Sequence, residues 1–325
     1  MIKKLFTIVI LAFVSFNLWA VTSPSKEIKV GVLKFGTANW ELKTTMDNGI
    51  DAKHDFKLNV VGLADKKANI AAFLGGEVDV ILTDYIWVSR QRTEGADFVF
   101  IPHSKSVGGI IVSPSSNINS LNDLAGKKIG IAGGPVDKSW VILQAYAKSV
   151  HNLDVKKDVE LVFGAPPLIN EKLMSGEVDA VLNFWHWNAR LKAKGMTELH
   201  SVANMLDEMG LNSNAPLLGW AFRESWANEN NDLIRSFLDS SFETKGILLN
   251  DMNAWENLKA KMKADKDDNL FKNLSTDYRA GIMTESSPSA AEAAEKTFAV
   301  MAEIGGQKLV GSSATLEAGT FWSAY

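Results

Sequence analysis

Leu74-Gly75-Gly76-Glu77-Val78-Asp79-Val80-Ile81-Leu82 recurs as Met174-Ser175-Gly176-Glu177-Val178-Asp179-Ala180-Val181-Leu182, 100 residues on and without a gap. The same spacing pairs Trp87 with Trp187, Arg90 with Arg190 and Trp40 with Trp140. It also sets Ile28-Lys29-Val30-Gly31-Val32 against Lys128-Ile129-Gly130-Ile131-Ala132. Several matches in one register restrict the chain to two copies of one structural unit.

Each copy predicts strand, helix, strand, helix, strand, helix. In the first, strands fall at 28–32, 57–61 and 78–83, with helices at 39–48, 66–75 and 86–94. In the second, strands fall at 128–132, 159–163 and 179–183, with helices at 138–149, 167–175 and 187–194. The strands are short, β-branched and apolar on both faces, as in a buried parallel sheet. Alternation of this kind predicts one α/β sheet per copy, built from right-handed βαβ units. Phe98–Pro102 and Gly109–Val112 read as strands leaving the first lobe and entering the second, and Leu217–Phe222 as the return. Beyond residue 230 the pattern turns helical: Leu233, Ile234, Phe237, Leu238, Phe242 and Ile247 recur at helical spacing, as do Trp255, Leu258 and Met262. Lys259–Asp268 reads as a solvated helix and loop, and Ala290–Met301 is rich in good helix formers.

A chain of 325 residues has core enough for two domains. It contains no cysteine, which excludes disulfide scaffolds, Cys-ligated zinc, iron–sulfur clusters, thiol nucleophiles and Cys-linked lipid anchors. Its net charge of -4 argues against a nucleic-acid partner. The start combines Lys3 and Lys4, an apolar run from Leu5 to Trp19 and small Ala20, the three-part plan of a secretory signal peptide cleaved near Ala20. The apolar run is shorter than the ~20 residues needed to span a bilayer. Loss of the leader takes the charge to -6. The expected division is leader 1–20, first part of lobe 1 21–105, lobe 2 106–205, and 206–325 as the return to lobe 1 plus C-terminal helices.

Open α/β sheets bind ligands beyond the carboxyl ends of their strands, where helix N-termini offer unpaired N–H groups. The loops so placed nominate Phe35, Thr37, Asn39 and Trp40, then Thr83, Asp84, Tyr85 and Trp87, in the first copy. In the second they nominate Gly133, Gly134, Asp137, Ser139 and Trp140, then Asn183, Trp185, His186 and Trp187. Six of the nine Trp outside the leader (40, 87, 140, 185, 187 and 220) lie in or beside such strand ends. They read as the aromatic wall of an organic-ligand cleft, with helix–sheet packing as the alternative for any single one. Thr37, Asn39, Asp137 and Ser139 also read as N-caps. Asp84 either pairs with a ligand amine or caps its helix through Trp87.

Catalytic signatures fail. Gly133 to Ser139 resembles a phosphate loop at its Lys-Ser end, but Ala132 and Asp137 stand where that motif needs glycine. The five His have no paired metal-ligand spacing, and His186 beside two Trp reads as a hydrogen-bonding or stacking group. No Gly-x-Ser-x-Gly elbow occurs. The acids of the repeated Glu-Val-Asp sit at the amino end of a strand, which assigns them to the turn and not to catalysis.

The leader, the repeated (Gly/Ser)-Gly-Glu-Val-Asp turns and Leu121-Asn122-Asp123-Leu124-Ala125-Gly126-Lys127-Lys128-Ile129-Gly130 together resemble the solute-binding proteins of ABC importers. The nearest set is the nitrate/sulfonate/taurine and thiamine-pyrimidine-precursor group, over residues 26–225. The resemblance implies a periplasmic binding protein type II fold: two Rossmann-like lobes, a hinge and a helical C-terminal segment. It further implies a periplasmic monomer without cofactor or metal that captures a small organic solute, sulfonate- or taurine-like or related, by hinge closure near 103–110 and 203–220. It would deliver the solute to an inner-membrane permease driven by a cytoplasmic ATPase. A ligand sensor for a membrane receptor is an alternative use of the same clamp. A third is the fold-sharing eukaryotic pyrimidine synthase, whose Cys-rich motif this chain lacks.

Overall fold

The computed structural model describes residues 26–284 and 288–325. The expected leader, 1–20, lies outside them. In chain order the strands are β1 (Lys26–Leu33), β2 (Phe56–Leu63), β3 (Val80–Thr83), β4 (Phe98–Ser104), β5 (Gly109–Val112), β6 (Lys128–Ala132), β7 (Glu160–Gly164), β8 (Ala180–Asn183), β9 (Thr197–Ser201) and β10 (Leu218–Arg223). The helices that matter here are α1 (Ala38–Asp47), α2 (Lys66–Leu74), α3 (Tyr85–Thr93), α4 (Lys138–His151), α5 (Pro166–Met174), α6 (Trp185–Ala193), α7 (Asn231–Asn250), α8 (Asp268–Ala280) and α9 (Pro288–Gly305). No helix among the described residues is long and apolar enough to cross a membrane.

The strands form two five-stranded sheets, ordered β2-β1-β3-β10-β4 and β7-β6-β8-β5-β9. Three neighbours in each sheet are parallel, and β10 and β5 run antiparallel to the strands beside them. Each sheet therefore takes four strands from its own copy and one from the segment that follows the other copy. This exchange of β5 and β10 is how the chain crosses between the lobes. β9, the counterpart of β4, was not anticipated: Thr197-Glu198-Leu199-His200-Ser201 is a partly exposed edge strand and lacks an apolar run.

The repeated turn has one physical role in both copies. Gly76 and Gly176 turn the chain with φ of 75° and 76°, a region glycine enters without steric cost. The carboxylate that follows then clamps the first strand of its copy. Asp79 Oδ2 accepts from Lys29 N at 2.8 Å while Asp79 N donates to Lys29 O at 2.9 Å. Asp179 does the same to Lys128, at 2.8 Å in each direction.

The hundred-residue register slips by one at the first strand. Gly31 lies opposite Ile81, whereas Gly130 lies opposite Val181, so Gly31 matches Gly130 at an offset of 99. The cause is steric. A Cβ on Gly31 would lie 2.6 Å from Asn69 Oδ1, and one on Gly130 would lie 2.9 Å from Ile169 Cγ2. Asn69 and Ile169 occupy the same place on α2 and α5, so both copies need glycine under that helix. The loop from β6 to α4 is one residue longer than that from β1 to α1, which restores the spacing of 100 at Trp40 and Trp140.

The C-terminal segment touches both lobes. α8 packs along α6, and its Tyr278 reaches Trp40 of α1. α9 packs along α4, and Tyr85 Oη donates to Ala294 O at 3.2 Å. Ala294, Phe298 and Met301 join the apolar side chains of both sheets into one buried cluster.

Removing either clamp carboxylate should weaken its own copy alone. Asp79→Ala and Asp179→Ala are each expected to cost about 1 kcal/mol, with the double variant near their sum because the sites are remote. Urea unfolding of the three variants measures this, and a double variant far from the sum would contradict independent clamps.

Candidate functional site

Parallel strands β1 and β3 end side by side in the first sheet, and β6 and β8 do so in the second. Two contacts join these ends across the lobes. Trp40, in the first turn of α1, meets Trp185, the first residue of α6, edge to face with ring centroids 6.0 Å apart and planes at 89°. Lys138, the first residue of α4, places its Nζ 2.9 Å from Asp84 Oδ2.

The aromatic contact is part of a larger array. Tyr278 lies 5.6 Å from Trp40, 5.9 Å from Trp185 and 5.2 Å from Trp255 by ring centroids. Such tilted and edge-on arrangements suit the ring quadrupoles. Beside Trp40, the fully buried Glu41 carboxylate accepts from Ser241 Oγ at 2.5 Å and Tyr278 Oη at 3.5 Å, with His103 Nε2 at 3.7 Å. Burial pushes the Glu41 carboxyl up, opposed by the buried Lys245 ammonium. Burial also holds His103 well below the usual imidazole range, helped by Lys245, and its buried Nδ1 has no partner.

At the ionic contact, the Asp84 side chain is 5% exposed. Its Oδ1 accepts from Trp87 N at 2.9 Å, which makes it the N-cap of α3. Its Oδ2 takes both Lys66 Nζ, at 2.5 Å, and Lys138 Nζ. Burial alone would raise this carboxyl, but Lys138 and Lys66 together hold it well below the usual carboxylate range. The same attraction outweighs burial at Lys138 and raises that ammonium. Of the two roles open to Asp84, the cap is therefore formed, and its remaining oxygen is held by the protein's own amines.

The nominated residues divide by what they touch. Trp40, Asp84 and Trp185 make the contacts between lobes. Phe35 is 82% exposed at the tip of its loop, with Lys34 and Lys263 ammonium groups each 5.9 Å from its ring. Thr37 caps α1 without a side-chain bond, and Asn39 braces that loop through Leu33 O and Gly36 O. Thr83 is buried with its hydroxyl unpartnered, and Tyr85 is spent on α9. Trp87 stacks on Phe98 at 5.5 Å and 14°, inside the first lobe. Gly133 and Gly134 form the turn before α4, where Asp137 accepts from Ser139 N and Trp140 N as its cap. Trp140 is buried edge-on to Phe163. Asn183 binds Pro166 O and Asn170 Oδ1 inside the second lobe. His186, pushed down to about 4 by burial and by Arg190, is neutral at pH 7, with Nδ1 unpartnered. Trp187 lies under the Arg190 guanidinium at 5.6 Å, and that guanidinium donates to Met262 O. Trp220 packs in the first lobe against His103 and Phe237.

Sequence reasoning passed over Glu41, Lys66, Lys138 and Tyr278. Lys138 lies in a nominated loop and Glu41 directly follows a nominated Trp, so adjacency was a usable signal for both. Lys66 and Tyr278 had none, since only folding brings them there. Among the described residues no group of three or more His, Asp or Glu could hold a metal ion.

Residues 47–248 match the family described as NMT1/THI5 like. A Haemophilus influenzae protein named for thiamine biosynthesis is 24% identical over 165 residues, 50% of this chain, which spans about half (51%) of that relative's length. The fold resembles the periplasmic aliphatic sulphonate binding protein SsuA of Escherichia coli, with TM-score 0.73 and 16% identity over 92% of each chain. It also resembles the desulfurization enzyme DszB, with TM-score 0.59 and 14% identity over 91% of this chain and 97% of that one. Likeness at these identities concerns the fold alone. The match to the family runs from the end of α1 in the first copy through the whole of the second and covers more than half of the sequence, and the chain belongs to the NMT1/THI5-like family.

Proposed function

We propose that this protein is the solute-capturing component of an ABC importer. It is exported to the periplasm with cleavage near Ala20, and it holds a small organic solute, sulfonate- or taurine-like or related, between its lobes. Closure follows hinge bending near 103–110 and 203–220, and the closed form is handed to an inner-membrane permease coupled to a cytoplasmic ATPase. The observation that carries this reading is the meeting of Trp40 and Trp185 across the lobes. These side chains begin helices at the carboxyl ends of β1 and β8, where two-lobed α/β proteins bind ligands. Trp185 is half-buried at this junction and Trp40 packs behind it, so the junction offers aromatic contact area to an organic solute while the nominated loops supply the polar groups that orient it. In this reading the chemistry is non-covalent capture, and closure around the solute completes the site.

A cognate solute should quench Trp fluorescence and raise the melting temperature by mass action, by about 2.7 kcal/mol of added stability at a hundredfold excess over Kd. Trp40→Ala and Trp185→Ala should each weaken binding at least tenfold, measured by titration calorimetry, whereas Trp226→Ala should not. A panel of sulfonates, amines and aromatic acids that shifts neither signal, or a bound compound that is chemically converted, would overturn the reading. The N-terminus of the secreted form, sequenced from a periplasmic extract, is expected at Val21, and retention of Met1 would contradict export by cleavage.

A further inference from the structure

Asp84–Lys138 is, among the described residues, the one ion pair that joins a strand–helix unit of the first sheet to one of the second. Its chemistry is lopsided. Asp84 is nearly enclosed, whereas the Lys138 side chain is 24% exposed and lies on a helix of the other lobe. An enclosed carboxylate without a counter-charge is strongly destabilising. If the lobes parted with Lys138 as the sole partner, that penalty would block opening. Lys66 removes the difficulty, because α2 belongs to the same lobe as Asp84 and its ammonium stays in place.

The internal repeat sets the ionic pairing apart from the scaffold role of Asp84, its cap on α3. The positions that match Lys66, Asp84 and Lys138 in the other copy are Pro166, Phe184 and Ala38, all uncharged. Those sites play the same structural parts: first residue of α5, N-cap of α6 and first residue of α1. The fold is thus built without charge at any of the three places. The fourth charged group nearby, Asp137, is committed to capping α4 through Ser139 N and Trp140 N.

We propose that Lys138 is a closure latch, pairing with Asp84 only when the lobes are together, while Lys66 keeps Asp84 paired when they separate. The proposal rests on the hinge closure above but not on the identity of the solute. Lys138 is then a positioning residue, which sets how far the empty protein leans toward the closed form. Since a closed population lowers or raises apparent affinity according to its fraction, the latch also tunes binding without touching solute.

Because the chain has no cysteine, spin labels can be placed on Glu94→Cys and Lys148→Cys, one exposed site in each lobe, without background. Pulsed dipolar distances are then read on the solute-free protein. Lys138→Met should move the interlobe distribution to longer distances, and Lys138→Arg should restore it. Lys66→Met should leave the distribution at the short distance and lower the melting temperature. The latch is overturned if Lys138→Met leaves the distances unchanged, if Lys66→Met lengthens them as much, or if the unsubstituted protein is already fully open. Thermal-shift binding on the same samples separates the two claims. Solute binding with unmoved distances removes the latch alone, and moved distances with no solute found remove the importer reading alone.

Discussion

Each lobe depends on a carboxylate locked to a backbone peptide. Asp79 and Asp179 both accept from and donate to the first strand of their copy, and that pair of hydrogen bonds fixes where the third strand enters the sheet. A slip of one residue there would invert the faces of a strand buried on both sides. With the entry point held, the strands run out together at their carboxyl ends. The loops that follow then emerge along one edge of each sheet, and the exchange of β5 and β10 turns those edges toward each other.

The two copies share a scaffold and differ in what they present. Where the lobes meet, the contact has an aromatic part, Trp40 with Trp185 and Tyr278, and an ionic part, Asp84 with Lys138. Trp40 has its repeat partner in Trp140, yet Trp140 is buried against Phe163 inside the second lobe. Trp87 is turned inward onto Phe98, while Trp187 sits under Arg190. Equivalent residues at equivalent helix positions thus point to different neighbours. The difference comes from what the C-terminal helices cover: α8 supplies Tyr278 on one side and α9 fills the other.

Much of the architecture was legible as text. Inner parallel strands carry short β-branched apolar stretches, so β1, β3, β6 and β8 stand out, and their repetition marks the unit. β9 escaped because an edge strand needs no such run. The slip from 100 to 99 at Gly31 and Gly130 escaped because close approach of a helix to a strand leaves no mark except a glycine. The candidate loops were located, but the directions of their side chains were not. Asp84 was readable as a cap, since its bond to Trp87 is local, whereas its two lysines lie 18 and 54 residues away.

By itself the sequence determined the repeated α/β unit, the turn that clamps it, the cysteine-free chemistry and the loops at the strand ends. These are local or periodic properties, written in patterns a few residues long. The tertiary structure alone decided that Trp40 meets Trp185 across the lobes while Trp140 packs on Phe163 within its own, that Tyr278 and Glu41 stand behind Trp40, and that one carboxylate is shared between amines of both lobes. Those contacts depend on how two sheets and a straddling tail come together in space, and no short-range pattern encodes that.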